Sequence, residues 1–304
     1  MNRRQMLAGL AAAPTAGPAA AGRTPSRLIL LGTGGGPTPK PNRSAPANAV
    51  VVNGETYVVD CGNGVARQMA LAGLKLGSIR AVFITHHHSD HNADYGTLLQ
   101  LAWASDLAHA VDTYGPPPLA RMTEQFIALN VVDLEVRQRD EGRAPFAGLV
   151  QPHEVAAGGP VMRDANVRVT AALVDHGAMR PALAYRFDTP DRSIVFSGDT
   201  RPSDNLIALA KGADILVHEV MYLPALERVI AAEPNAATLR EHLLASHTST
   251  EQAGRVATAA GVKTLVLSHF VPGGPPIIDD QVWYDAVRPY FSGRIVVGRD
   301  LMEL

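Results

Sequence analysis

The order of apolar runs along the chain predicts an α/β layered domain made of two similar halves that pack sheet against sheet. The early part is rich in strand-like runs, and the later part alternates short strands with helix-like segments. A chain of 304 residues, 46% of them hydrophobic, can bury a core of this size. Short strands with peripheral helices on such a chain are typical of an α/β layered fold.

The individual elements follow from runs of apolar and β-branched residues and from helical periodicity. In the first part we predict strands at residues 28–31, 49–52, 57–59 and 81–85, and helices at 64–74 and 93–104. In the later part we predict strands at 167–174, 182–187, 193–196, 214–218, 264–267 and 294–298, and helices at 203–211, 249–260 and 280–288. Segment 116–160 is rich in Pro and Gly and reads as irregular, with one helix-like piece at 119–129. We predict that this segment is a lid or a dimer contact.

Composition excludes several classes of protein. The chain has 27 Lys and Arg against 29 Asp and Glu, whereas a protein that coats nucleic acid normally has a strong basic excess. Beyond the N-terminus it has no apolar run long enough for a polytopic membrane protein. Its single cysteine excludes an intrachain disulfide framework and a Cys-rich zinc site.

Residues 1–21 resemble a twin-arginine export signal. Arg3 and Arg4 precede an Ala-rich stretch that ends in Ala19, Ala20 and Ala21, which suit a signal peptidase. We therefore predict export to the periplasm or the medium, with no stable membrane span. Removing the segment takes away two arginines and no acidic residue, so the formal net charge falls from −2 to −4.

A histidine-rich run follows a predicted buried strand. The strand at 81–85 leads directly into His86, His88, Asp90 and His91. Alternate residues of extended backbone project to one side, so His86 and His88 can share a site. Three imidazoles and one carboxylate are enough to begin two adjacent metal sites. We therefore predict metal ligation at this strand end, and not an incidental histidine-rich loop.

This run resembles the signature of the metallo-β-lactamase-fold hydrolases. Three more motifs of that family occur in the family's order, each at a predicted strand end: Asp175-His176-Gly177, Ser197-Gly198-Asp199-Thr200 and Leu267-Ser268-His269-Phe270. The glycine loop at 32–36 and Ser246-His247-Thr248-Ser249 are similar to the ribonuclease Z-like and arylsulfatase-like branch. The resemblance implies a four-layer αββα sandwich over residues 22–304, and it implies the roles that follow.

The implied centre holds two Zn²⁺ ions per chain. The first ion would be held by three histidines, which are His86, His88 and His176. The second ion would be held by Asp90, His91 and His269, and Asp199 would bridge the two ions. The predominance of nitrogen donors favours zinc, with manganese and nickel left open. A metal-bridging hydroxide would attack the substrate, and the metals would stabilise the oxyanion.

The resemblance also implies a proton donor outside the ligand set. His247 would protonate or stabilise the leaving oxygen, and Glu219 would keep His247 charged and oriented. We thus expect Asp90, His247 and Glu219 to form the catalytic group. The alternatives are a helix cap for His247 and a structural salt bridge for Glu219. His109, His153 and His242 receive no role.

The substrate is the least determined feature of the sequence. The interval from Tyr185 to Asp199 is too short for the basic arm of ribonuclease Z enzymes, and the charge is acidic. We therefore expect a small-molecule ester and no nucleic acid as partner, with an aryl sulfate ester or a phosphodiester as the leading substrate. The alternatives are a lactone or carboxylic ester hydrolase, a hydrolytic dehalogenase, and a non-catalytic exported zinc- or ligand-binding protein. A homodimer stays open.

Overall fold

The first strand is buried on both faces, which requires a layer of structure on each side of its sheet. Leu28 and Leu30 point into one apolar core, and Ile29 and Leu31 point into another. The computed structural model describes residues 25–304, and within them two seven-stranded sheets lie between outer layers of helices. The fold is therefore the predicted four-layer α/β sandwich.

The first sheet has the strand order β14-β1-β2-β3-β4-β5-β6. Its strands are β1 (Arg27–Gly32), β2 (Ala47–Val52), β3 (Glu55–Val59), β4 (Ile79–Phe83), β5 (Val111–Gly115), β6 (Val150–Glu154) and β14 (Met302–Glu303). The helices of this half are α1 (Val65–Leu71), α2 (Ser89–Asn92), α3 (Tyr95–Ala104), α4 (Leu119–Leu129) and α5 (Val131–Glu141).

The second sheet has the order β13-β12-β11-β10-β9-β8-β7. Its strands are β7 (Gly159–Arg163), β8 (Arg168–His176), β9 (Met179–Asp188), β10 (Ser193–Phe196), β11 (Ile215–Met221), β12 (Thr264–Val271) and β13 (Arg294–Val297). The helices of this half are α6 (Asp204–Ala210), α7 (Leu226–Ala232), α8 (Leu239–Ser246), α9 (Thr250–Ala260) and α10 (Asp280–Val287).

The two sheets repeat one pairing scheme. In the first sheet, antiparallel pairs join β14, β1, β2 and β3, and parallel pairs join β3, β4, β5 and β6. In the second sheet, antiparallel pairs join β7, β8, β9 and β10, and parallel pairs join β10, β11, β12 and β13. The two halves are therefore similar, as the sequence predicts.

Three apolar cores hold the layers together. Tyr57, Phe83, Tyr185 and Phe187 lie between the sheets, and the Phe187 ring packs edge-on against Phe83 with ring centroids 5.0 Å apart. A second core lies between the first sheet and helices α1, α3 and α4. A third lies between the second sheet and α6, α9 and α10. Burial of these side chains supplies the main free energy that holds sheet to sheet and helix to sheet.

Segment 116–160 is more regular than the sequence predicts. It contains two helices, α4 and α5, and strand β6, which adds to the edge of the first sheet. Helix α5 is largely polar and exposed, so its sequence gives a weak periodic signal. The role of this segment as a lid or dimer contact stays a prediction.

The predicted export signal at 1–21 lies outside the described residues. Among residues 25–304, none of the helices has both the length and the apolar composition that crossing a bilayer requires.

Candidate metal centre

The predicted ligands meet where strands of the two sheets end. The chain leaves β4 at Phe83 and turns into His86 and His88, and helix α2 then carries Asp90 and His91. His176 is the last residue of β8. Asp199 and His269 complete the set, the first just after β10 and the second within β12. Every residue of the predicted ligand set lies at this seam between the halves.

A backbone irregularity directs His269 into the centre. Strands β11 and β12 shift register between Glu219 and Val220, so that Ser268 and Phe270 pair while His269 stays unpaired between them. The φ angle of His269 is +46°, in the left-handed region that non-glycine residues rarely adopt. Such a bulge bends the strand and redirects a side chain.

The first cluster brings together the nitrogens of three imidazoles. His88 Nδ1 lies 3.1 Å from His86 Nε2 and 3.0 Å from His176 Nε2. Asp199 Oδ2 lies 3.9 Å from the Nε2 atoms of His86 and His176. Nitrogens bound to one zinc ion at about 2.0–2.1 Å lie at similar separations from one another, so these four residues fit a single ion.

The second cluster shares Asp199 with the first. His269 Nε2 lies 3.1 Å from Asp199 Oδ2 and 3.4 Å from Asp90 Oδ2. His91 Nε2 lies 3.4 Å from Asp199 Oδ1 and 3.6 Å from Asp90 Oδ2. One carboxylate thus faces both clusters, which is the arrangement that a dinuclear centre needs.

Hydrogen bonds behind the cluster fix which nitrogen of His91 and of His176 faces inward. His91 Nδ1 lies 2.8 Å from Asp60 Oδ2, and His176 Nδ1 lies 2.9 Å from the carbonyl oxygen of Ser246. Both acceptors require a proton on Nδ1, which leaves Nε2 to accept a metal. Asp60 also accepts hydrogen bonds from the backbone N–H and hydroxyl of Thr85, whose hydroxyl lies 3.0 Å from His86 Nδ1. Asp60 therefore orients two of the predicted ligands, His91 directly and His86 through Thr85.

Burial and neighbouring charges shift the pKa values of the cluster in two directions. Burial lowers the pKa of His86 and His176, and together with His176 it lowers the pKa of His88 to about 4. Burial also opposes the charged form of His269, but Asp199 and Asp90 outweigh it and raise its pKa to about 10. The first cluster thus offers neutral imidazoles, and the second concentrates negative charge that attracts cations.

Unpaired atoms at the centre supply a test of whether a metal fits. His91 Nε2 and Asp199 Oδ1 are buried and have no hydrogen-bond partner among residues 25–304. Both atoms belong to the inward face of the second cluster. Buried polar atoms are rarely left unpaired, because their desolvation costs about 1–3 kcal/mol. The His and Asp clusters are therefore compatible with a dinuclear metal site.

His247 and Glu219 form a buried pair beside the ligands. His247 Nδ1 lies 2.7 Å from Glu219 Oε2, and the other Glu219 oxygen accepts the backbone N–H of Thr200 at 2.5 Å. Burial lowers the pKa of His247, but Glu219 outweighs it, and the net shift is upward. With Nδ1 directed at Glu219, Nε2 of His247 is left for a ligand. The geometry suits a proton donor oriented by a carboxylate.

A cleft of about 560 Å³ opens onto the centre. Its floor includes His88, Asp90, Asp199, His247 and His269. Its walls are the loop at 35–41, the segment at 271–275 and a strap, which we define as residues 226–246 with helices α7 and α8. Thr38 and Glu233 join the loop to the strap through a 2.9 Å hydrogen bond. The metal centre is thus reached through a walled groove.

Several residues of the site were not found from the sequence. Asp60 follows β3 and could have been noticed as a carboxylate at a strand end. His242 lines the cleft, with its ring 5.8 Å from that of His247, although the sequence gave it no role. Lys40 and Arg228 also line the cleft and had no sequence signal. Their places depend on how the strap and the loop fold over the centre.

The remaining histidines lie away from the cleft floor. His87 bonds the carbonyl oxygen of Pro116 at 2.7 Å, and His109 bonds that of Ile79 at 3.0 Å. His153 is exposed on β6 and pairs with Asp112 at 2.8 Å. His218 is buried and lies 2.8 Å from the Glu219 carbonyl oxygen. None of these four is among the residues that line the cleft.

Comparisons with known proteins agree with the fold. A family model described as a β-lactamase superfamily domain matches residues 55–270. The chain is 34% identical over 277 residues to ribonuclease Z of Mycobacterium bovis BCG, covering 90% of this chain and 96% of that protein. It is 35% identical over 278 residues to ribonuclease Z of a Mycobacterium species, covering 90% and 94%.

Solved structures share the fold at lower identity. The metallo-β-lactamase fold protein YhfI from Bacillus subtilis superposes with a TM-score of 0.67 at 20% identity, covering 92% of this chain and 99% of that one. Human tRNase Z, short form, gives a TM-score of 0.65 at 21% identity, covering 91% and 98%.

These relatives contradict our expectation of a small-molecule ester substrate and no nucleic acid, because ribonucleases act on RNA. The expectation rested on the net charge of the whole chain and on the missing arm. The structure agrees that there is no long arm at this position, because a short turn at 189–192 joins strands β9 and β10. Net charge, however, averages over the surface, whereas a phosphate backbone responds to the cations near the site.

Proposed function

The chain belongs to the β-lactamase superfamily, and we propose that it is a metal-dependent phosphodiesterase that hydrolyses RNA. That it is a metallo-hydrolase of this fold follows from the family match over residues 55–270. The observation that carries the finer proposal is the position of Asp199 between two ligand clusters, beside His247. Two adjacent cations suit displacement at phosphorus, where both the attacking and the leaving oxygen carry charge.

We propose zinc as the ion at both positions. Five of the seven donors are imidazoles, and imidazole with carboxylate is a donor set that zinc favours. Manganese and nickel are the alternatives that metal analysis would separate. When bound, the two ions would activate water and neutralise the charge that develops on the phosphoryl oxygens.

The chain's own residues would position the phosphate and supply the proton. Asp199 faces both clusters and Asp90 faces the second, so these carboxylates would hold two cations at fixed positions on the cleft floor, where a phosphodiester would meet them. Nε2 of His247 would donate its proton to the leaving ribose oxygen. Glu219 would hold the imidazole charged through the 2.7 Å bond to Nδ1. An alkoxide is a poor leaving group, so this proton matters more for RNA than for activated esters.

The proposal is tested with RNA and matched variants. A labelled tRNA transcript with a 3′ extension is incubated with metal-loaded protein, and the products are separated by size. We expect cleavage that His88→Ala and Asp199→Ala abolish, because each removes a ligand. His153→Ala is the control, since His153 is exposed and does not line the cleft. An intact transcript in the presence of two bound ions per chain would contradict the proposal.

We further propose that the chain is exported through the twin-arginine signal at residues 1–21. Replacing Arg3 and Arg4 with Lys should retain the protein in the cytoplasm. Cell fractionation tests this, and equal distribution of the wild type and the double variant would count against export.

A further inference from the structure

Arg228 lies on helix α7 and lines the cleft that leads to the metal centre. The Nε and Nη2 atoms of its guanidinium are buried and have no hydrogen-bond partner among residues 25–304. Within the same residues, Arg228 also has no carboxylate within ion-pairing distance. Arg228 as a whole is half-buried. Buried N–H groups without a partner are nevertheless costly, because such groups are normally hydrogen-bonded.

The unpaired Nε and Nη2 atoms form the edge of arginine that binds two oxygens of one anion. Nε and Nη2 present two parallel N–H groups, which match the oxygens of a carboxylate or a phosphate. Elsewhere in this chain, Arg27 uses the same edge to hold both oxygens of Glu303, with both distances 2.7 Å. Within residues 25–304, Arg228 therefore presents the donors of such a pair without an acceptor.

The other charged residues of the cleft do not supply an acidic partner for Arg228. Asp90 and Asp199 belong to the metal clusters. Glu233 accepts a hydrogen bond from Thr38. Lys40 lines the same cleft and adds positive charge, with its Nζ bonded to the carbonyl oxygens of Gly36 and Thr38. As far as the described part of the chain is concerned, the Nε and Nη2 atoms of Arg228 are thus free to bind a negatively charged group of a ligand.

We propose that Arg228 binds a second phosphate of the substrate, next to the phosphate that is hydrolysed. This inference rests on the proposed function, because RNA carries a phosphate on each side of every internal nucleoside. The strap that carries Arg228 also contributes apolar side chains to the cleft, among them Val229, Leu239 and Leu243. Such side chains suit a nucleoside held between one phosphate at the metal centre and another at Arg228.

Two nucleotides that differ by one phosphate test the proposal. Adenosine 5′-monophosphate and adenosine 3′,5′-bisphosphate are titrated into metal-loaded protein by calorimetry. Wild type should bind the bisphosphate at least about tenfold more tightly, as expected for a charge-assisted pair. Arg228→Gln should remove that preference and leave monophosphate binding unchanged. Arg228→Lys, which keeps the charge but not the two-donor edge, should keep part of it.

Arg240→Gln is the matched control, because Arg240 lies on the same strap, is exposed and pairs with Glu227. It should keep the full preference for the bisphosphate. Equal affinity of wild type for the two nucleotides would overturn the proposal, as would a preference that persists in Arg228→Gln. Thermal unfolding and metal content of each variant separate a local effect from misfolding.

The same data distinguish this inference from the proposed function. If RNA stays intact but the preference depends on Arg228, the second phosphate site stands and the RNA phosphodiesterase does not. If RNA is cleaved and wild type shows no preference, the enzyme stands and the second phosphate site is wrong.

Discussion

Asp60 holds the outer face of the metal centre in place through His91 and Thr85. Asp60→Asn should weaken metal binding by about 10–100-fold, because His91 loses the carboxylate that fixes its tautomer. Competition with a chelator measures the affinity. Asp112→Asn is the control, since Asp112 pairs with His153 away from the cleft. Unchanged metal affinity in Asp60→Asn would contradict the role assigned to Asp60.

The contribution of His247 to the rate of hydrolysis should be larger for substrates with poorer leaving groups. His247→Ala should slow RNA cleavage by about 10²–10⁴-fold, the usual contribution of a positioned proton donor. Hydrolysis of bis(p-nitrophenyl) phosphate, used as a probe with a good leaving group, should fall much less. Steady-state kinetics on both substrates, with metal content measured alongside, provide the comparison. An equal loss on both, with metal retained, would argue against proton donation.

At the level of residues, the sequence identified the side chains that the structure brings together in the two clusters, but it did not identify the groups behind them. The seven predicted ligands occur in short strings that a family resemblance makes visible. Asp60, His242 and Arg228 have no such string around them, and only the folded chain brings them to the centre. Contacts between residues distant in sequence cannot be read from local pattern.

At the level of elements, Asp214 ties the starts of three neighbouring strands together. It accepts the backbone N–H of Ser193, the first residue of β10, and pairs with Lys263 just before β12, while β11 begins at Ile215. The Lys263 hydrogen bond lowers the pKa of Asp214 to about 2. Because the folded-state pKa is depressed, the stabilisation is present above the ordinary carboxyl pKa and is lost as the pH falls toward 2.

Asp214→Asn should therefore lower the free energy of unfolding near pH 7, by about 1 kcal/mol because solvent screens this partly exposed pair. The difference from wild type should shrink to about half by pH 3. Urea denaturation across pH 7 to 3 measures it. A difference that stays constant or grows toward acid pH would exclude the ion pair as its source.

The turn after β10 carries Gly198 directly before Asp199, the carboxylate that faces both clusters. Its φ angle is +58°, and a Cβ there would lie 2.6 Å from the Leu183 carbonyl oxygen. Gly212 has a similar φ of +64°, but a Cβ there would have no atom within 4 Å. Gly212→Ala should therefore cost about 1 kcal/mol of stability from backbone strain alone. Gly198→Ala should cost about 3 kcal/mol, because a steric clash adds to the strain.

Urea denaturation of the two glycine variants gives this comparison directly. Gly198→Ala should also weaken metal binding, since its turn positions Asp199. Equal costs at the two positions would show that the turn tolerates a side chain beside Leu183.

Element prediction succeeded where the apolar pattern was strong and failed where tertiary contacts decide. Strand 193–196 has the predicted bounds, and β1, β2 and β3 extend the predicted runs by one or two residues. Helices α5, α7 and α8 were missed, because each is short or largely exposed. Tertiary packing stabilises such helices more than their own sequence does.

At the scale of the whole molecule, the metal centre depends on how the two halves meet. His86, His88, Asp90 and His91 come from the first half, and His176, Asp199 and His269 come from the second. The backbone N–H of Leu183 on β9 donates to the Thr85 carbonyl oxygen at 2.9 Å, and the Tyr185 hydroxyl donates to that of Ile84 at 3.0 Å. The segment that leads into His86 and His88 is thus held against the second sheet.

The substrate was the part of the function that whole-chain properties could not predict. Net charge and the short β9–β10 turn both argued against nucleic acid, yet relatives that match 90% of the chain are ribonucleases. A few cations at the site, such as Lys40 and Arg228, hardly change the net charge. They nevertheless change the local electric field that an RNA backbone would meet in the cleft.

Stepwise addition of Zn²⁺ to metal-free protein, with RNA cleavage recorded at each step, tests most directly whether the protein is a two-metal RNA phosphodiesterase. We expect no cleavage without metal, full cleavage at two ions per chain and none in Asp199→Ala at any zinc concentration. Cleavage in excess chelator, or an intact transcript once two ions are bound, would contradict the proposed function.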